Sequence, residues 1–161
     1  MIDDFNDGYI KNGNIPDLNN SFKINLFNTF HSYIEPEKFF PRKHMLIKDD
    51  RGAFSEILKS SSKGQVSFSI TNPGHIRGNH FHTRKIERFS VIEGEAEINI
   101  KKIGSNKKYS FKLSGEAPCY VDMQVWYTHN IKNIGDSNLI TLFWINEFYN
   151  ENDSDTFFEK V

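Results

Sequence analysis

Cysteine is nearly missing from this chain: Cys119 is the only one in 161 residues. A lone cysteine cannot form an internal disulfide, so the fold must be held by its core, and a reducing compartment fits. Long apolar runs are missing too. No stretch approaches the roughly 18 residues needed to cross a bilayer as a helix. Charge of one sign is not in excess: 20 Lys and Arg face 21 Asp and Glu, for a net charge of -1. That excludes a partner held by a large basic field, nucleic acid above all. The opening Met1-Ile2-Asp3-Asp4 is acidic and does not lead into an apolar segment, so it does not read as a secretory signal, and a cytoplasmic location is expected. No G-x-G-x-x-G follows a strand-like run, and neither a P-loop, a nucleophile elbow nor an internal repeat is visible.

Phenylalanine is abundant. Fifteen Phe give a chain of only 37% hydrophobic residues a bulky core, and its length suits one domain with an arm. Residues 1–40 read as that arm. Met1 to Asn14 is rich in Asn, Asp and Gly and reads as a loose lead-in. Leu18, Phe22, Leu26, Phe30 and Ile34 then recur every four residues, with Phe27 and Tyr33 widening the stripe, which predicts one amphipathic helix. Glu35-Pro36 ends it, because a residue before proline avoids the helical region. The stripe is read as core contact with the domain or with a partner subunit.

Residues 41–161 change period. Val66, Phe68 and Ile70 alternate with Gln65, Ser67 and Ser69, which predicts a half-buried strand; Ala96, Ile98 and Ile100 alternate in the same way. Leu139 to Ile145 reads as a buried strand. Short strands at this spacing, separated by turn residues, predict an all-β antiparallel sandwich or jelly roll.

The domain is organised around Pro73 to Gly94, PGHIRGNHFHTRKIERFSVIEG. His80 and His82 are two apart and project from one face of an extended strand. Glu87 falls five residues later. Its odd spacing requires a turn at Thr83-Arg84-Lys85, after which it returns on a second strand beside the histidines. Two imidazoles and a carboxylate suit a divalent metal with open positions. Far along the chain, Trp126-Tyr127-Thr128-His129 offers a fourth candidate ligand, His129. On their own, a polar surface pair or a satisfied core pair would also explain the two near histidines.

The order Gly74, His80, His82, Glu87, Gly94, with His129 and Asn133 later, resembles the cupin pattern. The resemblance implies a cupin or jelly-roll barrel with a short N-terminal helical arm, and a metal held by His80, His82, Glu87 and His129. A second stretch, Asp50-Arg51-Gly52-Ala53-Phe54-Ser55-Glu56, is similar to one found early in nucleotide-sugar cupin epimerases. There the Arg serves a phosphate; a turn residue pairing with Asp49 or Asp50 is the competing reading of Arg51. The whole run is similar to the C-terminal cupin domain of bifunctional capsular-polysaccharide enzymes. The carrying segments are RGAFSEILKS, GQVSFSI, YTHNIKNIGD, LFWINE and the final DTFFEKV.

That similarity implies an epimerase acting at C3 of a UDP-linked 4-keto-6-deoxy-N-acetylhexosamine. Zinc would be the metal, a separate NADPH-dependent reductase of the short-chain type the partner, and a homodimer the assembly. In this reading Tyr127 or Lys85 moves the proton, and Arg51, Glu56 and Trp126 bind substrate. Trp126 departs from the family, which usually carries a proline-glycine turn there, and is expected to narrow the pocket or stack on a base or sugar. Two other readings compete: a sugar-binding cupin without catalysis, and an iron-dependent oxygenase on the same two His and a carboxylate.

Overall fold

The computed structural model describes residues 1–40, 42, 44–62, 64–117 and 119–161. Pro41, the first residue of the expected β domain, lies outside the described residues.

The arm is more helical than its composition suggests. Helix α1 (Ile2–Phe5) runs directly into a π-helical stretch, Asn6–Lys11. The expected loose lead-in is ordered because Phe5 and Tyr9, four apart, both reach Phe27, at ring-centroid distances of 5.3 and 5.2 Å. Helix α2 (Ser21–Ser32) starts later than its apolar stripe, because Asn20 caps it by accepting from the Lys23 amide. Pro36 opens a further short helix, α3 (Pro36–Phe39), as proline suits the first turn.

Eleven strands follow among the described residues: β1 (Ile47–Asp49), β2 (Gly52–Lys59), β3 (Gln65–Thr71), β4 (Ile76–Phe81), β5 (Glu87–Glu93), β6 (Glu95–Lys102), β7 (Lys108–Ser114), β8 (Tyr120–Met123), β9 (Tyr127–Asn133), β10 (Leu139–Ile145) and β11 (Phe157–Phe158). They form two antiparallel sheets, in the orders β1-β2-β3-β10-β5-β8 and β11-β4-β9-β6-β7. The core lies between them. Val91, Met123 and Leu139 from one sheet meet Ala96, Ile98, Ile100, Leu113 and Ile131 from the other. This is the expected all-β jelly roll with its helical arm.

Strand β3 is turned the opposite way from what its alternation suggests. A half-buried strand ordinarily places its apolar side inward. Here Gln65, Ser67, Ser69 and Thr71 are buried, while Val66, Phe68 and Ile70 are only half-buried. The register explains the reversal. Ser69 and Ser67 pair with Thr141 and Phe143 of β10, whose inward face also carries Leu139 and Ile145. Bulky Phe143, Phe89 and Phe54 occupy the space between the sheets, in contact at 5.4 and 5.7 Å, and leave room only for small side chains on β3.

Candidate metal centre

The cluster forms where the two sheets face each other at one end of the barrel. On one sheet, Gln65 pairs with Ile145, Ile145 with Glu87, and Glu87 with Met123. On the other, Phe158 pairs with His80, His80 with His129, and His129 with Ile100. His82 follows β4 by one residue. A bulge between Gly78 and His80, with Asn79 at φ +61°, adjusts the strand so that both histidines turn inward.

The four candidate ligands, His80, His82, Glu87 and His129, therefore come together, the first three as their spacing suggests and His129 as the resemblance implies. One ligand atom from each lies within 4.8 Å of the others. Nε2 of His129 is 3.1 Å from Oε2 of Glu87, and Nε2 of His82 is 3.3 Å from it. Ligands of a tetrahedral zinc stand about 3.4 Å apart for bonds near 2.1 Å, so little movement would be needed. His82, Glu87 and His129 are buried, while His80 is half-buried and forms the accessible side.

The ligand atoms face one another across short gaps. Nε2 of His82, Oε2 of Glu87 and Nε2 of His129 are all buried, and none has a hydrogen bond of acceptable direction. The reason is tautomeric. Nδ1 of His82 lies 2.6 Å from the carbonyl of Asp155, which can only accept, so Nδ1 carries the hydrogen and Nε2 is left with its lone pair. Nδ1 of His129 faces the Tyr127 carbonyl at 3.3 Å in the same sense. Buried lone pairs converging in this way are costly unless a positive charge, a proton or a metal ion, sits among them. The residues present thus fit a divalent metal.

The electrostatics agree. Burial works to raise the pKa of Glu87, but His129 and His82 beside its oxygen outweigh it and hold the carboxyl well below its usual range. Burial, with His129 next, lowers His80 to about 4, so this ring is neutral at physiological pH. For His82, burial acts downward, but Glu87 overrides it and raises the ring above its ordinary 6.5. In metal-free protein that proton stabilises the fold below pH 6.5, a contribution lost as the pH rises through the raised value. A metal must displace the same proton. Affinity for zinc or cobalt is therefore expected to fall about tenfold per pH unit below His82's raised pKa. Titration from about pH 8 to pH 5.5 measures this. A flat profile would remove His82 from the ligand set.

The other predicted site residues are placed less uniformly. Tyr127 is half-buried, packs against the core, and lies two residues before His129 on β9, hence on the same strand face. Glu56 is half-buried on β2, where it accepts from Gln65 Nε2 at 2.9 Å and pairs with Lys59 at 2.6 Å. Lys85 is fully buried. Its ammonium donates to the Ser154 carbonyl at 2.6 Å and lies 3.7 Å from Glu147, so it is tied to the C-terminal segment. Trp126 is half exposed and stacks on Phe81, a residue on the face of β4 opposite His80, at 5.9 Å. Arg51 is not brought to the cluster. It forks onto Asp49 in the β1–β2 turn, at the Thr71 end of β3, about 20 Å along that strand from Gln65. Its pairing with Asp49 is the turn contact weighed against phosphate binding. Gly52, beside it, has a backbone reason of its own: with φ +133°, a Cβ there would lie 2.1 Å from the Ile70 carbonyl oxygen.

Sequence reasoning missed Asp155. It lies 73 residues from His82 within an acidic, polar tail, where aspartate ordinarily marks a solvated segment. Yet it is buried, and its carboxylate accepts from the Thr83 hydroxyl and from the amides of Thr83, Arg84 and Lys85. Burial acts to raise its pKa, but these four donors hold it down at about 2.

Known proteins place this geometry. The family model described as the polysaccharide biosynthesis C-terminal domain matches residues 47–157. A Pseudomonas aeruginosa protein named UDP-2-acetamido-2,6-beta-L-arabino-hexul-4-ose reductase is 34% identical over 132 residues, covering 82% of this chain and 35% of that protein. The crystal structure of the capsular polysaccharide assembling protein CapF from Staphylococcus aureus superposes with a TM-score of 0.89 at 35% identity, over 99% of this chain and 43% of that one. The Drosophila melanogaster CENP-C cupin domain, at 13% identity and a TM-score of 0.52 over 63% of this chain, shares the fold alone. This chain spans less than half the length of these two bacterial relatives. It belongs to the polysaccharide biosynthesis C-terminal domain family, built on a cupin-type double sheet.

Proposed function

We propose that the chain is a metal-supported epimerase acting at C3 of a UDP-linked 4-keto-6-deoxy-N-acetylhexosamine, in the making of a surface polysaccharide. The observation that carries this reading is the convergence of His80, His82, Glu87 and His129, with unpartnered donor atoms, inside a domain similar to part of an enzyme named for a UDP-linked hexul-4-ose. A ketone at C4 acidifies the protons on C3 and C5, so a domain in such a context has a carbon acid to work on. Zinc is the preferred metal, since the donor set is nitrogen and carboxylate oxygen. A divalent cation held there supplies Lewis-acid polarisation of a carbonyl oxygen.

The chain's own residues bind and move protons. Epimerisation breaks the C3–H bond, sends its electron pair toward the C4 carbonyl oxygen, and remakes a C–H bond on the opposite face of C3. No net oxidation occurs. Tyr127 is assigned the proton transfer, because its side chain shares a strand face with His129 and is half-buried rather than sealed off. Lys85 fits that role poorly as it stands. Its ammonium, already shared between Ser154 and Glu147, has no lone pair to accept a proton. Substrate contact is assigned to Glu56 rather than to Arg51, which lies at the far end of β3. A separate NADPH-dependent reductase is the proposed partner that would act on C4 afterwards.

The test is deuterium entry at C3 and C5 in D2O with a UDP-4-keto-6-deoxy-N-acetylhexosamine, followed by NMR. Exchange at C3 is expected, lost after chelation and in His80→Ala, and reduced roughly a hundredfold or more in Tyr127→Phe with metal affinity unchanged. Exchange at both carbons would shift the reading to a 3,5-epimerase. Binding without exchange would make this a sugar-binding domain.

A further inference from the structure

We infer that Asp155 is a positioning residue for the metal centre: its carboxylate fastens the loop between the second histidine and Glu87, and its carbonyl orients His82. The inference rests on the metal reading but not on the epimerase reading.

Asp155 is 6% exposed, whereas Asn150 to Asp153 before it and Thr156 to Lys160 after it are exposed. The tail is thus anchored inward at this residue. Its backbone sits at φ +42°, a left-handed conformation costing about 1 kcal/mol that Asp tolerates better than most residues. The strained turn has an evident use, because it lets side chain and carbonyl of one residue face the same loop. The carboxylate meets three successive amides, at 3.1 Å from Thr83, 3.0 Å from Arg84 and 3.1 Å from Lys85, and the Thr83 hydroxyl at 2.6 Å. The carbonyl accepts from His82 Nδ1 at 2.6 Å.

Those contacts bracket the ligands. His82 opens the five-residue approach to Glu87, and both ends of that approach carry a donor atom. A loop free to move would let Nε2 of His82 and Oε2 of Glu87 separate from the 3.3 Å at which they now stand. The segment also supports the third ligand. Strand β11 pairs Phe158 with His80, and the Glu159 amide donates to the Asn79 carbonyl. An outer partner that fixes tautomer and ring orientation is worth roughly ten- to a hundredfold in metal affinity.

The experiment is cobalt titration by absorbance on full-length protein, with the His82 tautomer read by nitrogen-15 NMR of metal-free protein. Asp155→Ala is expected to weaken cobalt binding ten- to a hundredfold and to let the metal-free His82 ring lose its single Nδ1–H tautomer. Asp155→Asn keeps one acceptor oxygen for Thr83 but sets its NH2 against the Arg84 and Lys85 amides, and is expected to lose about three- to tenfold. Val91→Ala, a core truncation remote from the loop, serves as the destabilised control and should leave affinity within about twofold, since it removes no partner of a ligand. Wild-type affinity in folded Asp155→Ala would overturn the proposal, as would an equal loss in Val91→Ala. If Asp155→Ala does not fold, Asp155→Asn decides: affinity and tautomer both equal to wild type would overturn it. If the wild-type protein itself takes up no cobalt, the metal reading falls, while the tautomer comparison still decides whether Asp155 orients His82.

Discussion

Glu87→Gln is expected to abolish metal binding at micromolar concentrations while leaving the barrel folded. Glu87 is the only carboxylate among the four clustered ligand candidates, and its Oε2 is the atom that both His82 and His129 approach. The amide is nearly the same size, so packing beside Met123 and Ile145 is retained. What changes is charge. A neutral amide oxygen is a poor ligand, and its NH2 group would meet imidazole lone pairs where a cation should be. The loss should exceed the roughly hundredfold cost of removing an outer partner. Competition against a chromophoric chelator measures it. The substitution also removes the largest influence that raises the pKa of His82, so the ring should titrate lower in the variant than in the wild type. Stoichiometric metal of wild-type affinity in Glu87→Gln would show that the cluster is not the site, and C3 exchange that survives in a metal-free Glu87→Gln protein would dismiss the metal from the chemistry.

Gly78→Ala is expected to be among the most destabilising single substitutions on β4. The residue has φ +96°, which L side chains rarely adopt. A Cβ there would also stand 2.7 Å from the His129 carbonyl oxygen and 2.9 Å from the Asn130 Cα, both backbone atoms of β9. Nothing flexible can yield, so the two strands must part where His80 pairs with His129. A cost of about 3 kcal/mol or more follows, which for a chain of this size lowers Tm by roughly 10 °C. Gly74→Ala supplies the comparison. Its φ is +77°, but nothing lies within 4 Å of its Cβ position, so only the conformational cost of about 1 kcal/mol is expected. Thermal unfolding of both variants separates the two causes. Equal losses would mean that the close approach of β4 to β9 is not what holds the pair together. Metal affinity should fall in Gly78→Ala and stay at the wild-type value in Gly74→Ala.

Local pattern carried much of this molecule. The 2-residue period of β3 and β6, the four-residue apolar stripe of α2 and the stop before Pro36 are all relations between near neighbours, and near neighbours are what sequence spacing reports. The candidate ligand set was legible in part for a related reason. His80, His82 and Glu87 occupy two adjoining strand ends and the loop between them, so their spacing nearly specifies their geometry; His129 needed the resemblance, because it is 42 residues beyond Glu87.

Tertiary structure alone decided the rest. Which face of β3 turns inward depended on Phe54, Phe89 and Phe143 filling the interior from other strands, not on the hydrophobicity of β3 itself. That Arg51 lies at the opposite end of the barrel from the cluster followed from the antiparallel register of β2 and β3. Lys85 and Asp155 read locally as a solvated cation and a solvated anion. They are buried because the last eight residues fold back over the loop between the candidate ligands, joining side chains to backbone groups some 70 positions away. Such pairings leave no trace in periodicity, since neither partner's immediate neighbours change in character. The sequence by itself determined an all-β domain and the near cluster of candidate ligands His80, His82 and Glu87; only the facing of the two sheets decided which side chains surround them and what holds them in place.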